Sequence, residues 1–417
     1  MVESSNRYVV MVALVAMLFG FGNLVLTPSF PSIAEAFQIS PSEVSLVISA
    51  YTLPGIFVSP LYGVLSDRIG RRKVLLPTIL VFGIAGVAAG FTMDFTGLLI
   101  ARFIQGISGA AFFPLAFIIV GDLYSGHQRN VAISNTMLVV MSAGVIHPLL
   151  GGFLTLFSWR YVFFSFFIAI PIFLVAFRVL PETSPLMQSN KDQVSESTPN
   201  KVKIEEETNI PLDPSIPTPW LVVLGVIVIG TLYFFITFGT ATLFTGYYVE
   251  QGLGWTSLET GIISSFTSII SALLLTKFGS LMGRRAKPLL ILGSFLALGI
   301  GCLSFALPPN IFWLIIASLA LGVSRAVAFT SLSAYILDLS SPTTRGKTTA
   351  VYESTLKIGQ TYGPFLFALV YLGASQALAA PFLVGALLSG VGCFLCVPLI
   401  RFTSRTGIGG PVHHKAT

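Results

Sequence analysis

The sequence predicts an all-α membrane protein of twelve transmembrane helices, arranged as two pseudo-symmetric six-helix bundles. Three observations carry that expectation. Of its 417 residues, 54% are hydrophobic and only 10% charged, against about 25% charged in soluble domains, so lipid is the expected solvent. Apolar runs of the roughly 20 residues needed to cross a bilayer recur from Tyr8 to Leu399 with short polar breaks. One longer polar stretch, 181–219, divides these runs into six and six.

The expected spans are 8–28, 43–65, 74–93, 96–121, 131–157 and 160–180, then 220–248, 257–278, 288–307, 311–337, 348–373 and 376–400. The first begins after Arg7. It is too long for a signal-peptide core and lacks a clear small-residue cleavage site, so it reads as a helix. Cys302, Cys393 and Cys396 all lie in apolar spans, where a thiol packs as a small hydrophobe. The C-x-x-C spacing of the last two therefore reads as packing, and no metal site is expected.

Orientation follows from Lys and Arg, which favour the cytoplasmic side. With the N-terminus inside, nineteen of them are cytoplasmic, from Arg7 through the cluster Arg68, Arg71, Arg72 and Lys73 to Lys415, and Arg160 alone is outside. Both termini are then cytoplasmic. The net charge of +6 is explained by topology, because the basic residues are spread over separate segments and form no compact nucleic-acid face.

Residues 1–180 are expected to form the first bundle and 220–417 the second, with a short cytoplasmic tail. The stretch 181–219, rich in Pro, Ser and Lys and carrying Glu205, Glu206 and Glu207, reads as a flexible cytoplasmic linker. The halves also repeat. A shift of 216 places Gly106 on Gly322, Asp122 on Asp338, Arg129 on Arg345 and Pro148 on Pro364; a shift of 213 brings Gly70, Arg71 and Arg72 onto Gly283, Arg284 and Arg285. Such a repeat implies two bundles of like topology with a site between them near the bilayer midplane, and rocking of the bundles exposes that site to each side in turn.

Between the second and third spans the chain reads GVLSDRIGRRKV, with Gly63, Asp67, Arg68, Gly70, Arg71, Arg72 and Lys73. Gly63 permits close helix contact, Gly70 a tight turn, and Asp67 can face a helix N-terminus or the following arginines. The fourth span reads LLIARFIQGISGAAFFP, with Arg102 followed by Gln105 and Gly106; the fifth holds GVIHPLLGG, with Gly144, His147, Pro148, Gly151 and Gly152. Together with LTPSFPSIAEAF in the first span and LPET after the sixth, these stretches resemble the major facilitator superfamily, in its twelve-helix drug:proton antiporter branch. The resemblance implies that the loop at 63–73 latches the cytoplasmic side shut in the outward-open state. It implies a role for Arg102 in coupling protons to transport, and a bend at Pro148 that packs on the opposite bundle. The glycine that precedes the proline in the antiporter pattern is His147 here, a departure that weakens the antiporter reading. The second basic loop has Ser280 where the first has Asp67, so the latch is expected on one side only.

Four ionised side chains fall well inside spans: Arg102, Arg325, Glu353 and Lys357. Charges in hydrocarbon persist when they pair or serve a path. Glu353 is the one acid, since the first span offers Asn23 where the antiporter branch often has a carboxylate, so a proton-coupling acid is expected at Glu353. Lys357 is one helical turn from it, and Arg325 near mid-span could join them. One carboxylate cannot neutralise two cations, and the surplus favours an anionic or zwitterionic substrate; the alternative is a static triad holding two helices together. Asn23, Tyr51, Gln105, Asn135, Tyr233, Tyr352 and Gln360 are polar groups at plausible depth for a cavity wall. His147 lies in the outer half of its helix, either as a hydrogen-bonded helix contact or as a pH-sensitive gate.

The sequence excludes several classes. RGKTT at 345–349 has Ser341 where a phosphate loop needs glycine, and no HExxH or GxSxG marks an enzyme. The expectation is a secondary active transporter, a monomer with protons and membrane lipid as partners, with no nucleic acid and no cofactor, driven by the proton gradient. Proton-coupled efflux of a small amphipathic or anionic compound or drug leads. Uptake of a metabolite, or export of a lipid-like or siderophore-like molecule, is the alternative. No Asn-x-Ser/Thr acceptor occurs, which points to a prokaryotic cytoplasmic membrane.

Overall fold

A computed structural model describes residues 2–124, 126–183, 219–282, 287–340 and 345–406. Every regular element among them is helical, as hydrocarbon requires of a chain whose backbone groups must pair within their own segment. Twelve spans follow in order: α1 Arg7–Phe37, α2 Pro41–Ile69, α3 Arg71–Gly90, α4 Phe95–Leu123, α5 Gly126–Thr155, α6 Trp159–Val179, α7 Trp220–Gly252, α8 Ser257–Met282, α9 Lys287–Ala306, α10 Ile311–Leu339, α11 Arg345–Gly373 and α12 Ala379–Thr406. Among the described residues eleven helices are long and apolar enough to cross a membrane. The one outside that set is α11, the helix that carries Glu353, Lys357, Gln360 and Thr361. Its polarity marks it as a helix that faces something other than lipid. The linker 184–218, the loop 283–286 and the tail from 407 lie outside the described residues.

Local chemistry sets the helix ends. Ser40 caps α2, its hydroxyl accepting from the Glu43 N–H while the Glu43 carboxylate accepts from the Ser40 N–H, a reciprocal box that satisfies two orphan donors. Gly70 ends α2 at φ +108°, a conformation open to glycine. A Cβ there would also strike the Glu182 carboxylate. Asp94 caps the start of α4 by accepting from the Gly97 N–H at 2.8 Å, and Asn310 caps α10 by accepting from the Phe312 N–H at 2.9 Å.

Helices α1–α6 and α7–α12 pack as two bundles that meet along α2 with α11 and α5 with α8. Hydroxyl-to-backbone bonds and bare glycines make those seams. Ser49 donates to the Thr361 carbonyl at 2.6 Å, the Thr361 hydroxyl donates to Thr52 at 2.9 Å, Ser257 donates to the Gly152 carbonyl at 3.1 Å and Ser265 to the Val145 carbonyl at 2.6 Å. Small residues let backbones approach closely enough for this. All four contacts lie in the half of the molecule away from the 63–73 loop, so the structure is closed at that end. At the other end Gly63 has no atom of the described residues within 4 Å of where a Cβ would sit, so the close helix contact expected of it is not made among them.

The internal repeat is visible in the ion pairs. Arg71 of α3 pairs with Asp122 of α4 at 3.1 Å, and Lys287 of α9 pairs with Asp338 of α10, each partner 216 residues on. Lys287 thus takes the place of Arg71 under the 216 shift; the match of Gly70, Arg71 and Arg72 with Gly283, Arg284 and Arg285 under the 213 shift lies outside the described residues.

Candidate functional site

Lys357 is held where the bundles meet. Its stem lies against Gly55 of α2, where a Cβ would approach within 2.7 Å, and its ammonium sits 4.6 Å over the ring of Phe19 of α1, a cation–π contact. Phe113 and Phe117 of α4 continue that aromatic row, with ring centroids 5.3 and 4.8 Å apart in turn. Glu353 stands one helical turn from Lys357 and is half-buried. The ion pairs among the described residues are Arg71–Asp67, Arg71–Asp122 and Lys287–Asp338. Glu353, Lys357 and Arg325 thus do not close into the triad that their spacing allowed. Arg325, on α10, lines a cavity formed with α1, α5, α7, α8 and α9 instead.

Arg102 is fully buried inside the first bundle. Its guanidinium donates to the carbonyls of Gly22 at 2.7 Å and Val47 at 3.4 Å, and to the side-chain oxygens of Gln105 and of Asn23, the latter at 3.3 Å. The ring of Tyr51 lies 4.4 Å below it, and Gln105 passes a hydrogen bond to the Phe82 carbonyl at 3.4 Å. A planar fork with five donors suits such a junction of α1, α2, α3 and α4. Tyr51 and Gln105 accordingly pack within the bundle and do not face a cavity. Tyr233 bonds Ser324 at 3.0 Å and Tyr352 packs on Gly230, both inside the second bundle. Asn135 is exposed and Gln360 half-buried.

His147 is buried with its ring edge-on to Phe21, centroids 4.8 Å apart. Neither nitrogen has a hydrogen-bond partner among the described residues, so the hydrogen-bonded contact expected of it is not made. The glycines around it, in a continuous helix that contains Pro148, allow close approach. A Cβ on Gly151 would fall 1.8 Å from the Val25 carbonyl of α1, and one on Gly152 would fall 2.5 Å from the Ser257 carbonyl of α8. Gly144 lies opposite Ser268, and Gly261 of α8 faces the Pro148 carbonyl. In the loop at 63–73, Asp67 pairs with Arg71, the Arg72 N–H donates to Glu182 at 3.2 Å, Arg72 also stacks on Phe177, and Arg68 is exposed.

Sequence reasoning passed over Glu250, two residues beyond the expected seventh span 220–248. Its Oε1 and the Thr260 hydroxyl of α8 are both buried, with no hydrogen bond of normal distance and angle among the described residues. The apolar run before it, LFTGYYV, was the available signal. Glu182 was also missed as the partner that Gly70 and Arg72 require.

The family profile described as Major Facilitator Superfamily matches residues 12–309 and 227–416. A bacillibactin exporter of Bacillus subtilis (strain 168) is 30% identical over 160 residues, covering 37% of this chain and 40% of that protein. An uncharacterized MFS-type transporter, YwfA, of the same strain is 25% identical over 388 residues, covering 91% of this chain and 88% of that one. The chain spans between 25% and 46% of the length of the first curated relatives it matches. The crystal structure of the human organic anion transporter MFSD10 superposes with a TM-score of 0.69 at 20% identity, over 94% of this chain and 99% of that one.

Proposed function

Since the chain belongs to the major facilitator superfamily, we propose that it is a secondary active transporter of a cell membrane, working as a monomer by alternating access. Its cargo is a small amphipathic or anionic organic compound, exported in exchange for protons. The observation that carries this reading is the position of Lys357 and Glu353. Lys357 sits at the seam between bundles with Glu353 one turn away on the same helix, the least apolar of the twelve, and neither is in an ion pair among the described residues. A charge placed where two bodies separate changes its surroundings each time they move, and that dependence is what couples a titration to a conformational change.

The orientation set by the basic loops makes the closed end extracytoplasmic, so the state described is the inward-facing one. The substrate enters from the cytoplasm and meets Lys357 and the Phe19–Phe113–Phe117 row. Glu353 takes up and releases the proton as Lys357 exchanges it for the substrate. Partial likeness to an exporter and the bend at Pro148 support export over uptake. The basic loops and the bacterial relatives support a prokaryotic cytoplasmic membrane.

Glu353→Gln tests the assignment. Gradient-driven transport in proteoliposomes is expected to fall at least about tenfold, while substrate exchange without a gradient persists. Gradient-driven transport at the wild-type rate would remove Glu353 as the coupling acid.

A further inference from the structure

The cavity around Arg325 is lined from both bundles, by α1 and α5 on one side and by α7, α8, α9 and α10 on the other, and measures about 30 Å³. That volume admits about two waters. It is far below the roughly 300 Å³ or more of a site for a whole drug-sized molecule. Only the head group of a larger ligand fits.

Arg325 stands halfway along α10 and makes no ion pair and no hydrogen bond among the described residues. A guanidinium at membrane depth without a partner is costly and is retained for a ligand or a path. The hydroxyls around it divide into two groups. Thr245 and Thr267 donate to carbonyls of their own helices, whereas Thr242 of α7 and Ser264 of α8 make no hydrogen bond among the described residues. The Arg325 guanidinium, a donor of up to five N–H groups, and the hydroxyls of Thr242 and Ser264 line the same small space. Its wall holds no carboxylate. An oxyanion with four lone-pair sites satisfies such a set, in the bidentate geometry that arginine favours. An amide offers fewer acceptors, and a cation is repelled.

We propose that this cavity is the subsite for the carboxylate head of the transported compound, with Arg325 as the residue that determines specificity and Thr242 and Ser264 completing the cradle. The inference rests on the transporter reading above and deepens it, because the cradle belongs to the second bundle and Leu24, Thr27 and Pro148 of the first close over it.

The test compares two probes with the same aromatic body, 2-naphthoate and 2-naphthamide, by equilibrium dialysis against the full chain in nanodiscs. Wild type is expected to bind naphthoate more tightly, and Arg325→Gln to lose that preference by about tenfold or more, the worth of a charge-assisted hydrogen bond. Arg325→Lys keeps the charge without the fork and retains part of it. The Thr242→Val, Ser264→Ala double variant loses about threefold and decides the matter if Arg325→Gln does not fold. Equal binding of the two probes by wild type, or an undiminished preference in the variants, overturns the subsite. Gradient-driven export of the two probes measured alongside separates the two readings. Export that persists without naphthoate preference sinks the subsite alone, and naphthoate preference without gradient-driven export of either compound sinks the proton-coupled reading alone.

Discussion

Two buried side chains of the first bundle show how far a residue's type predicts its role. The family resemblance implied a coupling role for Arg102, and four acceptors from three helices and one aromatic face satisfy its guanidinium. Those contacts link α1, α2 and α4, as a hydrogen-bonding post would. Arg102→Gln is expected to destabilise the protein by about 3 kcal/mol or more, since charged hydrogen bonds are lost and buried carbonyls are orphaned; thermal unfolding in detergent measures it. An unchanged midpoint with loss of gradient coupling alone would restore the coupling role. His147 presents its ring edge to Phe21, so His147→Phe keeps the packing. The pH profile of transport is expected to survive that change, and a shifted profile would make the imidazole a gate. The sequence could show that these residues were buried. It could not show that the Gly22 and Val47 carbonyls of other helices accept from Arg102, or that His147 has no hydrogen-bond partner among the described residues.

At the scale of elements, legibility was high for helices and low for seams. All twelve expected segments are found as helices, and in eleven of them length and hydropathy among the described residues suffice to cross a membrane, α11 being the exception. The 216 repeat extends to a pairing that the motif alone did not reveal, with Lys287 in the place of Arg71 beside the acid of the next helix. Seams depend on single glycines and hydroxyls, which carry no periodic signal. Gly152 is a case in point: a larger side chain cannot approach Ser257 and Gly261. Gly152→Val is expected to force the closed end apart, so that a Ser257→Cys reporter, introduced with the three native cysteines replaced, reacts faster with an impermeant maleimide. Equal reaction rates would show that α5 and α8 do not form the closing contact. Gly151→Ala, whose Cβ meets the Val25 carbonyl within one bundle, is expected instead to cost about 1–3 kcal/mol of stability, read as a lower thermal midpoint.

For the whole molecule, the described contacts define one state, closed at the end away from the basic loops and free of contact at Gly63. Alternating access requires that state to give way. Thr52 and Thr361 bring their hydroxyls within 2.9 Å across the seam, close enough for two thiols in their place to bond after small adjustment. A Thr52→Cys, Thr361→Cys pair is expected to crosslink under oxidation, stop transport and recover on reduction; undiminished transport by the crosslinked protein would show that the bundles need not separate there. The central claim is exchange of protons for an organic compound, and simultaneous counting of both fluxes in proteoliposomes tests it most directly. With an imposed pH gradient, the substrate is expected to move against its own gradient while protons move the opposite way, both at rates that fall together in Glu353→Gln. Substrate movement that ignores the pH gradient, or proceeds with no accompanying proton flux, would contradict the account.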